Sequence, residues 1–101
     1  MDQEKVVLVT GGTGDIGTAI VHQLDKTYGA IVALDIVSPE IAQSWLDTMR
    51  EQGVEHAVYR QMDVSNFDQC AQTILEIAKT FGRIDALINN CLLYTSPSPR
   101  D

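Results

Sequence analysis

Positive charge is scarce in this chain: 7 of 101 residues are Lys or Arg against 14 Asp or Glu, a formal net charge of −7. The acids are spread over every segment, so the surface has no basic stripe for nucleic acid and would repel acidic membrane lipids. Cysteine is scarce too, and two residues do not make a disulfide framework. Cys70 has no Cys or His at metal or catalytic spacing and reads as a small core residue, while His22 and His56 read as surface or strand-edge positions. Long apolar runs are missing. Val6 to Val9 is too short for a secretory segment, and the preceding Met1-Asp2-Gln3-Glu4 lacks the basic flank of a signal peptide. The expectation is a cytoplasmic protein without membrane, nucleic-acid or metal partners, one domain at most, with an ordinary 45% of hydrophobic residues.

What the chain does have is a glycine cluster directly after an apolar strand: Val6-Val7-Leu8-Val9 runs into Thr10-Gly11-Gly12-Thr13-Gly14-Asp15-Ile16-Gly17. A phosphate approaches a backbone closely only where no Cβ intervenes, and a helix starting there offers unpaired N–H groups and the positive end of its dipole. Counted from Gly12, the spacing Gly12, Gly14, Gly17 fits the dinucleotide fingerprint, in which the first Gly makes the turn, the second admits the phosphates and the third lets helix and strand pack closely. Taken alone, the same glycines are equally consistent with a turn that only joins strand to helix.

The rest of the chain alternates strand and helix. Ile16, Ala19, Ile20 and Leu24 recur at helical spacing, with Gly29 expected to end that helix. Ala30 to Leu34 is continuously apolar, as in a parallel strand buried on both faces, and Asp35 stands at its end, eighteen positions after Gly17. An acid about 20 residues beyond the glycines is where the ribose hydroxyls of NAD are held, and its charge repels the extra phosphate of NADP. Ile36 to Glu40 offers no Lys or Arg to offset that repulsion, so NAD is favoured over NADP; the plain alternative is a solvated acid that starts a turn. A second amphipathic helix runs from Pro39 to Gly53 through Ile41, Trp45, Leu46 and Met49, with Trp45 read as core packing. His56 to Met62 reads as a third strand closed by Asp63-Val64-Ser65. Ser65 or Asn66 then caps a third helix whose apolar stripe is Phe67, Cys70, Ile74, Ile77, Ala78 and Phe81, stopped at Gly82. Ile84 to Asn90 is a short fourth strand ending in two amides. Right-handed crossovers put the strands in the order 3-2-1-4, a Rossmann-like, doubly wound α/β fold with its site outside the strands' carboxyl ends. The first two helices are expected on one sheet face and the third on the other, which leaves Leu87 poorly sheltered and the fourth strand a bare edge.

The Thr-Gly-rich loop, Asp35, Asp63-Val64 and above all Phe81-Gly82-Arg83-Ile84-Asp85-Ala86-Leu87-Ile88-Asn89-Asn90 resemble the N-terminal half of a short-chain dehydrogenase/reductase, over residues 5 to 90. The resemblance implies cofactor contacts from Gly11, Gly12, Thr13, Gly14, Asp15, Ile16 and Gly17, and from Asp35. It also implies that Asp63 takes the adenine amino group with the Val64 backbone beside it, and that Asn89 orders the fourth strand against the cofactor. Asp63 also reads as a helix-entry acid, and one carboxylate can serve both roles. Asp15 departs from the pattern. Short members usually have Gly there, whereas Gly11, Gly14 and Gly17 fit the spacing of the extended branch that modifies sugar nucleotides; the later motifs favour the short branch.

After Asn90 the family would continue Ala-Gly, but the chain reads Cys91-Leu92-Leu93-Tyr94-Thr95-Ser96-Pro97-Ser98-Pro99-Arg100-Asp101. These eleven residues match a translated sequencing-library adapter end, so residues 1–90 are expected to be a partial NAD(P)-binding domain broken off after the fourth strand, and 91–101 a non-native tail; a Pro/Ser-rich natural terminus is the alternative. By resemblance, hydride transfer needs an Asn, a Ser and a Tyr-x-x-x-Lys beyond that strand. Tyr94 is followed four positions on by Ser98 rather than Lys and lies in the suspect tail, and Tyr28 and Tyr59 are upstream of the expected region, so no catalytic residue is expected here. The parent is expected to be an NAD-dependent enzyme, a homo-oligomer, exchanging hydride with a small alcohol or ketone. A non-catalytic nucleotide-binding protein of the same fold is the second reading.

Overall fold

The structure is a computed structural model that describes residues 5–90; the tail expected to be non-native lies outside the described residues. Seven elements alternate: β1 (Val6–Thr10), α1 (Asp15–Leu24), β2 (Ala30–Asp35), α2 (Pro39–Glu51), β3 (Ala57–Gln61), α3 (Phe67–Phe81) and β4 (Ala86–Asn89). The strands form one parallel sheet in the order β3-β2-β1-β4. This is the Rossmann-like order expected from right-handed crossovers.

Burial explains the apolar runs. All five residues of β1 and the first five of β2 are buried, because each strand has a neighbour on both edges and a helical layer above and below. One face of the sheet sets Val7, Val9 and Ile31 against Val21 and Leu24 of α1 and Trp45, Leu46 and Met49 of α2. The Trp45 indole N–H also donates to the Thr18 hydroxyl at 2.9 Å, joining the two helices. On the other face, Val6, Leu8, Val32, Leu34 and Met62 meet Cys70, Ile74, Ile77 and Phe81 of α3. That single helix does not reach the β4 edge. Leu87, on the same face as its register partner Leu8, is 54% exposed, as its poor shelter led us to expect.

The helix ends correct two readings and decide between the two caps expected for α3. α1 stops at Leu24, not at Gly29, because the carboxylate of its C-cap residue Asp25 turns away to accept the Glu55 and His56 N–H groups and the His56 ring nitrogen. Gly29 already belongs to the sheet side of the turn, its N–H donating to the Lys5 carbonyl. At α3 the cap is Asn66, whose side-chain oxygen accepts from Gln69 N at 3.0 Å, since Ser65 is engaged by Asp63. Phe67 leaves the apolar stripe: the first residue of α3, it is 82% exposed, while Thr73 takes a buried place the pattern did not assign. Gly53 and Gly82 take positive φ just beyond α2 and α3, where a left-handed residue ends a helix. Among the described residues no helix is long and apolar enough to cross a membrane.

Candidate functional site

Parallel strands that share one sheet bring their carboxyl ends to one rim, and that rim collects Gly11 to Gly17 after β1, Asp35 after β2, Asp63 after β3 and Asn89 at the end of β4. Close packing sets the path of the glycine loop. Gly11, at φ 65°, makes the left-handed turn assigned from spacing to Gly12, and its N–H donates to the Leu34 carbonyl at 2.7 Å. Gly12 instead lies against β2: a Cβ there would stand 2.7 Å from that of Ala33. Gly17, in the first turn of α1, is packed on the loop itself. A Cβ at Gly14 would meet only the Gly11 carbonyl oxygen, at 3.5 Å, an ordinary contact. The missing side chain at Gly14 is therefore not required by packing among the described residues, and the N-terminus of α1 is open to a ligand there. Asp15 and Ile16 follow, both exposed, with Asp15 in the first helical turn where its charge suits the dipole.

Asp35 closes the next side. Its Oδ2 accepts the Thr13 hydroxyl at 2.6 Å and the Thr13 N–H at 3.2 Å, and its Oδ1 accepts the Ile36 N–H at 2.8 Å. The turn after Asp35 is tethered from β3, where the Tyr59 hydroxyl lies 2.9 Å from the Asp35 carbonyl and 2.6 Å from that of Val37. Burial of the phenol, with the Asp35 charge nearby, pushes the Tyr59 pKa up to about 12. Gln61 adds a bond from its amide to the Ile36 carbonyl at 3.1 Å.

Asp63 forms a small turn of its own, its Oδ1 accepting the Ser65 N–H at 2.9 Å and the Ser65 hydroxyl at 2.6 Å. Those two bonds hold its carboxyl below the usual carboxylate range. Asp63 does not cap α3; it lines, with Ile36, Gln61 and Gln69, a shallow cavity of about 370 Å³ beside the end of β2. Val64 next to it is exposed. The cavity neighbours Gln61 and Gln69 went unmarked in the sequence, since single glutamines carry no spacing signal.

At β4, Asn89 meets β1 rather than the cavity. The Thr10 hydroxyl donates to the Asn89 side-chain oxygen at 3.1 Å and accepts the Asn90 N–H at 2.9 Å, while the Asn90 amide reaches the Gly11 carbonyl at 3.2 Å. Thr10 and Asn90 thus join the site although only Asn89 was assigned there. The rim brings together a turn, an open helix start, a fixed carboxylate and a polar-lined cavity, which is a set of groups for binding a phosphate-bearing nucleoside.

The family model described as short chain dehydrogenase matches residues 5–98. Acetoacetyl-CoA reductase of Allochromatium vinosum is 38% identical over 86 residues, 84% of this chain and 35% of that protein. A solved structure of NAD+-bound xylitol dehydrogenase aligns with a TM-score of 0.69 at 34% identity, covering 83% of this chain and 32% of that one. An NADPH-dependent 3-quinuclidinone reductase from Rhodotorula rubra aligns with a TM-score of 0.66 at 28% identity, covering 82% of this chain and 31% of that one. The chain spans about a third of the length of the relatives it matches.

Proposed function

This chain belongs to the short chain dehydrogenase family, and we propose that it supplies the adenosine-binding part of an NAD-dependent oxidoreductase acting on a small alcohol or ketone. The observation that carries the reading is the open Gly14, whose Cβ position is blocked by nothing within 3.4 Å, at the start of a helix and one residue from the Thr13 that holds Asp35. The pyrophosphate lies against Gly14 and the first N–H groups of α1. Asp35 accepts from the adenosine ribose and repels a 2′-phosphate. The adenine sits in the cavity lined by Ile36 and Asp63. Asn89 and Thr10 serve by holding β4 in register with the glycine loop.

When bound, the nicotinamide supplies hydride exchange with a carbon centre. The residues at the rim bind and orient. Asp35 and Asp63 both spend their carboxylates on hydrogen bonds to neighbouring N–H and hydroxyl groups, and among the described residues neither is matched with a second group as an acid–base pair. The part proposed for these residues is to bind and orient the cofactor, and the 101-residue chain is expected to bind it without turning over.

The test is titration of the chain with NAD, NADP and ADP-ribose, read through the fluorescence of its single tryptophan and by calorimetry. NAD and ADP-ribose are expected to bind alike, because the site grips the half they share, and NADP more weakly. No saturable binding, or tighter binding of NADP, would overturn the assignment.

A further inference from the structure

α3 is apolar over more of its surface than the sheet covers. Cys70, Ile74, Ile77 and Phe81 pack inward, yet Phe67, Ala71 and Leu75, which follow one another at four-residue steps and so form one ridge along the helix, are all exposed, Leu75 at 60%. Lys79 continues the same ridge. An amphipathic helix with one buried face would carry polar side chains there.

The charges along this ridge are self-complementary. Asp68, beside its start, and Lys79, at its end, are eleven positions apart, about three helical turns, and so share one side of the helix. Neither has a hydrogen-bond or ion-pair partner among the described residues, whereas the third charge of α3, Glu76, is paired with Arg60 of β3. In an antiparallel pair of such helices each Asp68 faces the Lys79 of the other copy, and in a parallel pair like charges meet. The midpoint between Asp68 and Lys79 falls within one residue of the midpoint between Ala71 and Leu75. One two-fold axis therefore satisfies the charges and seats each Leu75 against the small Ala71 of the other copy.

We propose that the exposed ridge of α3 is an interaction surface for a second copy of this chain, docked antiparallel about a two-fold axis. Phe67, Ala71 and Leu75 supply the apolar contact, and two Asp68–Lys79 pairs set its direction. One 15-residue helix offers only a small interface, so association is weak and follows protein concentration. It requires no bound nucleotide.

The experiment is sedimentation equilibrium of the 101-residue chain, without nucleotide, over a wide range of protein concentration. The chain is expected to pass from monomer to dimer as concentration rises, and Leu75→Glu to leave it monomeric. Asp68→Lys and Lys79→Glu are each expected to weaken association about tenfold, because two symmetric pairs become repulsive, and the double variant Asp68→Lys with Lys79→Glu to restore it. Restoration separates pairing from helix stability, since both reversals oppose the dipole of α3 and together oppose it most. A chain that is monomeric at every concentration, assemblies that grow past the dimer, or a double variant as weak as the single ones overturns the proposal. So does a dimer that survives Leu75→Glu and is lost in Leu87→Glu, which would put the second copy on β4. If Leu75→Glu does not fold, by circular dichroism, Leu75→Gln replaces it and is judged by the same comparison.

Discussion

Gly17 lies so close to Gly11 that a Cβ on Gly17 would stand 2.2 Å from the Gly11 carbonyl oxygen, and 2.7 Å from the Cα of Gly12. Both obstructing groups are backbone, so neither can swing aside as a side-chain tip could. Gly17→Ala is expected to cost at least about 3 kcal/mol or prevent folding, by pushing α1 off the loop. Gly14→Ala should behave differently. Its φ of −76° suits any residue, and the entropy lost from the unfolded chain offsets the weaker helix cap of alanine, so stability should stay within about 1 kcal/mol. NAD affinity should nonetheless fall at least about tenfold, because the new methyl occupies the phosphate's approach. Denaturant melts paired with NAD titration check both. Undiminished binding by Gly14→Ala would place the pyrophosphate elsewhere.

Tyr59 ties β3 to the turn that carries Asp35. Its pKa is raised to about 12, so the stability that it contributes is present in full below the ordinary tyrosine value near 10 and is lost as pH rises through about 12. Of the three tyrosines, Tyr59 should ionise late in an ultraviolet titration of phenolate, and Tyr59→Phe should remove that late step. The variant should also lose about 1 kcal/mol for the missing hydrogen bond. A titration unchanged in Tyr59→Phe would show that the hydroxyl does not hold the turn.

The parts of this site that were legible in the sequence are those set by local rules. Val6 to Val9 and Ala30 to Leu34 are apolar enough to have no place except a buried parallel strand, and Gly11 to Gly17 and Asp35 sit where those strands end. The division of labour among the glycines was not legible, since it depends on Ala33 of β2 lying against Gly12. The end of α1 was misplaced for a related reason: Asp25 answers to N–H groups thirty residues further along the chain. Thr10 and Asn90 were missed because their bond exists only once β1 and β4 are in register, 80 residues apart. Local chemistry marked the strand ends, and tertiary pairing decided which side chains meet there.

Asp85 secures that same β1–β4 register from the opposite end of the strands. Its Oδ2 accepts the Val6 N–H at 2.8 Å, its own N–H donates to the Val6 carbonyl at 2.8 Å, and Arg83 binds both carboxylate oxygens. The Arg83 and Val6 hydrogen bonds hold its carboxyl below the usual carboxylate range. A lowered folded-state value contributes stability that is present above the ordinary pKa near 4 and is lost as pH falls toward the folded-state value. Asp85→Asn should therefore lower Tm at neutral pH, and the gap from the unmodified chain should close on acidification. A gap that stays constant to the acid end would mean that the charge of Asp85 contributes nothing to the strand pairing.

Leu8 and Leu87 are register partners on one face of the sheet, yet Leu8 is 1% exposed and Leu87 54%. The difference follows from α3, which packs Ile74, Ile77 and Phe81 over Leu8, Val32 and Leu34 and leaves the outer edge of β4 without a helix among the described residues. Leu8→Ala removes a side chain from a packed core and should cost about 2–5 kcal/mol. Leu87→Ala removes one that water already reaches, and should cost no more than about 0.5 kcal/mol in dilute solution. Equal costs for the two substitutions would mean that the β4 face is covered in solution. Melting at increasing protein concentration then separates the causes: a cost at Leu87 that grows with concentration points to a second copy on the β4 edge, whereas a constant cost points to cover from within the chain.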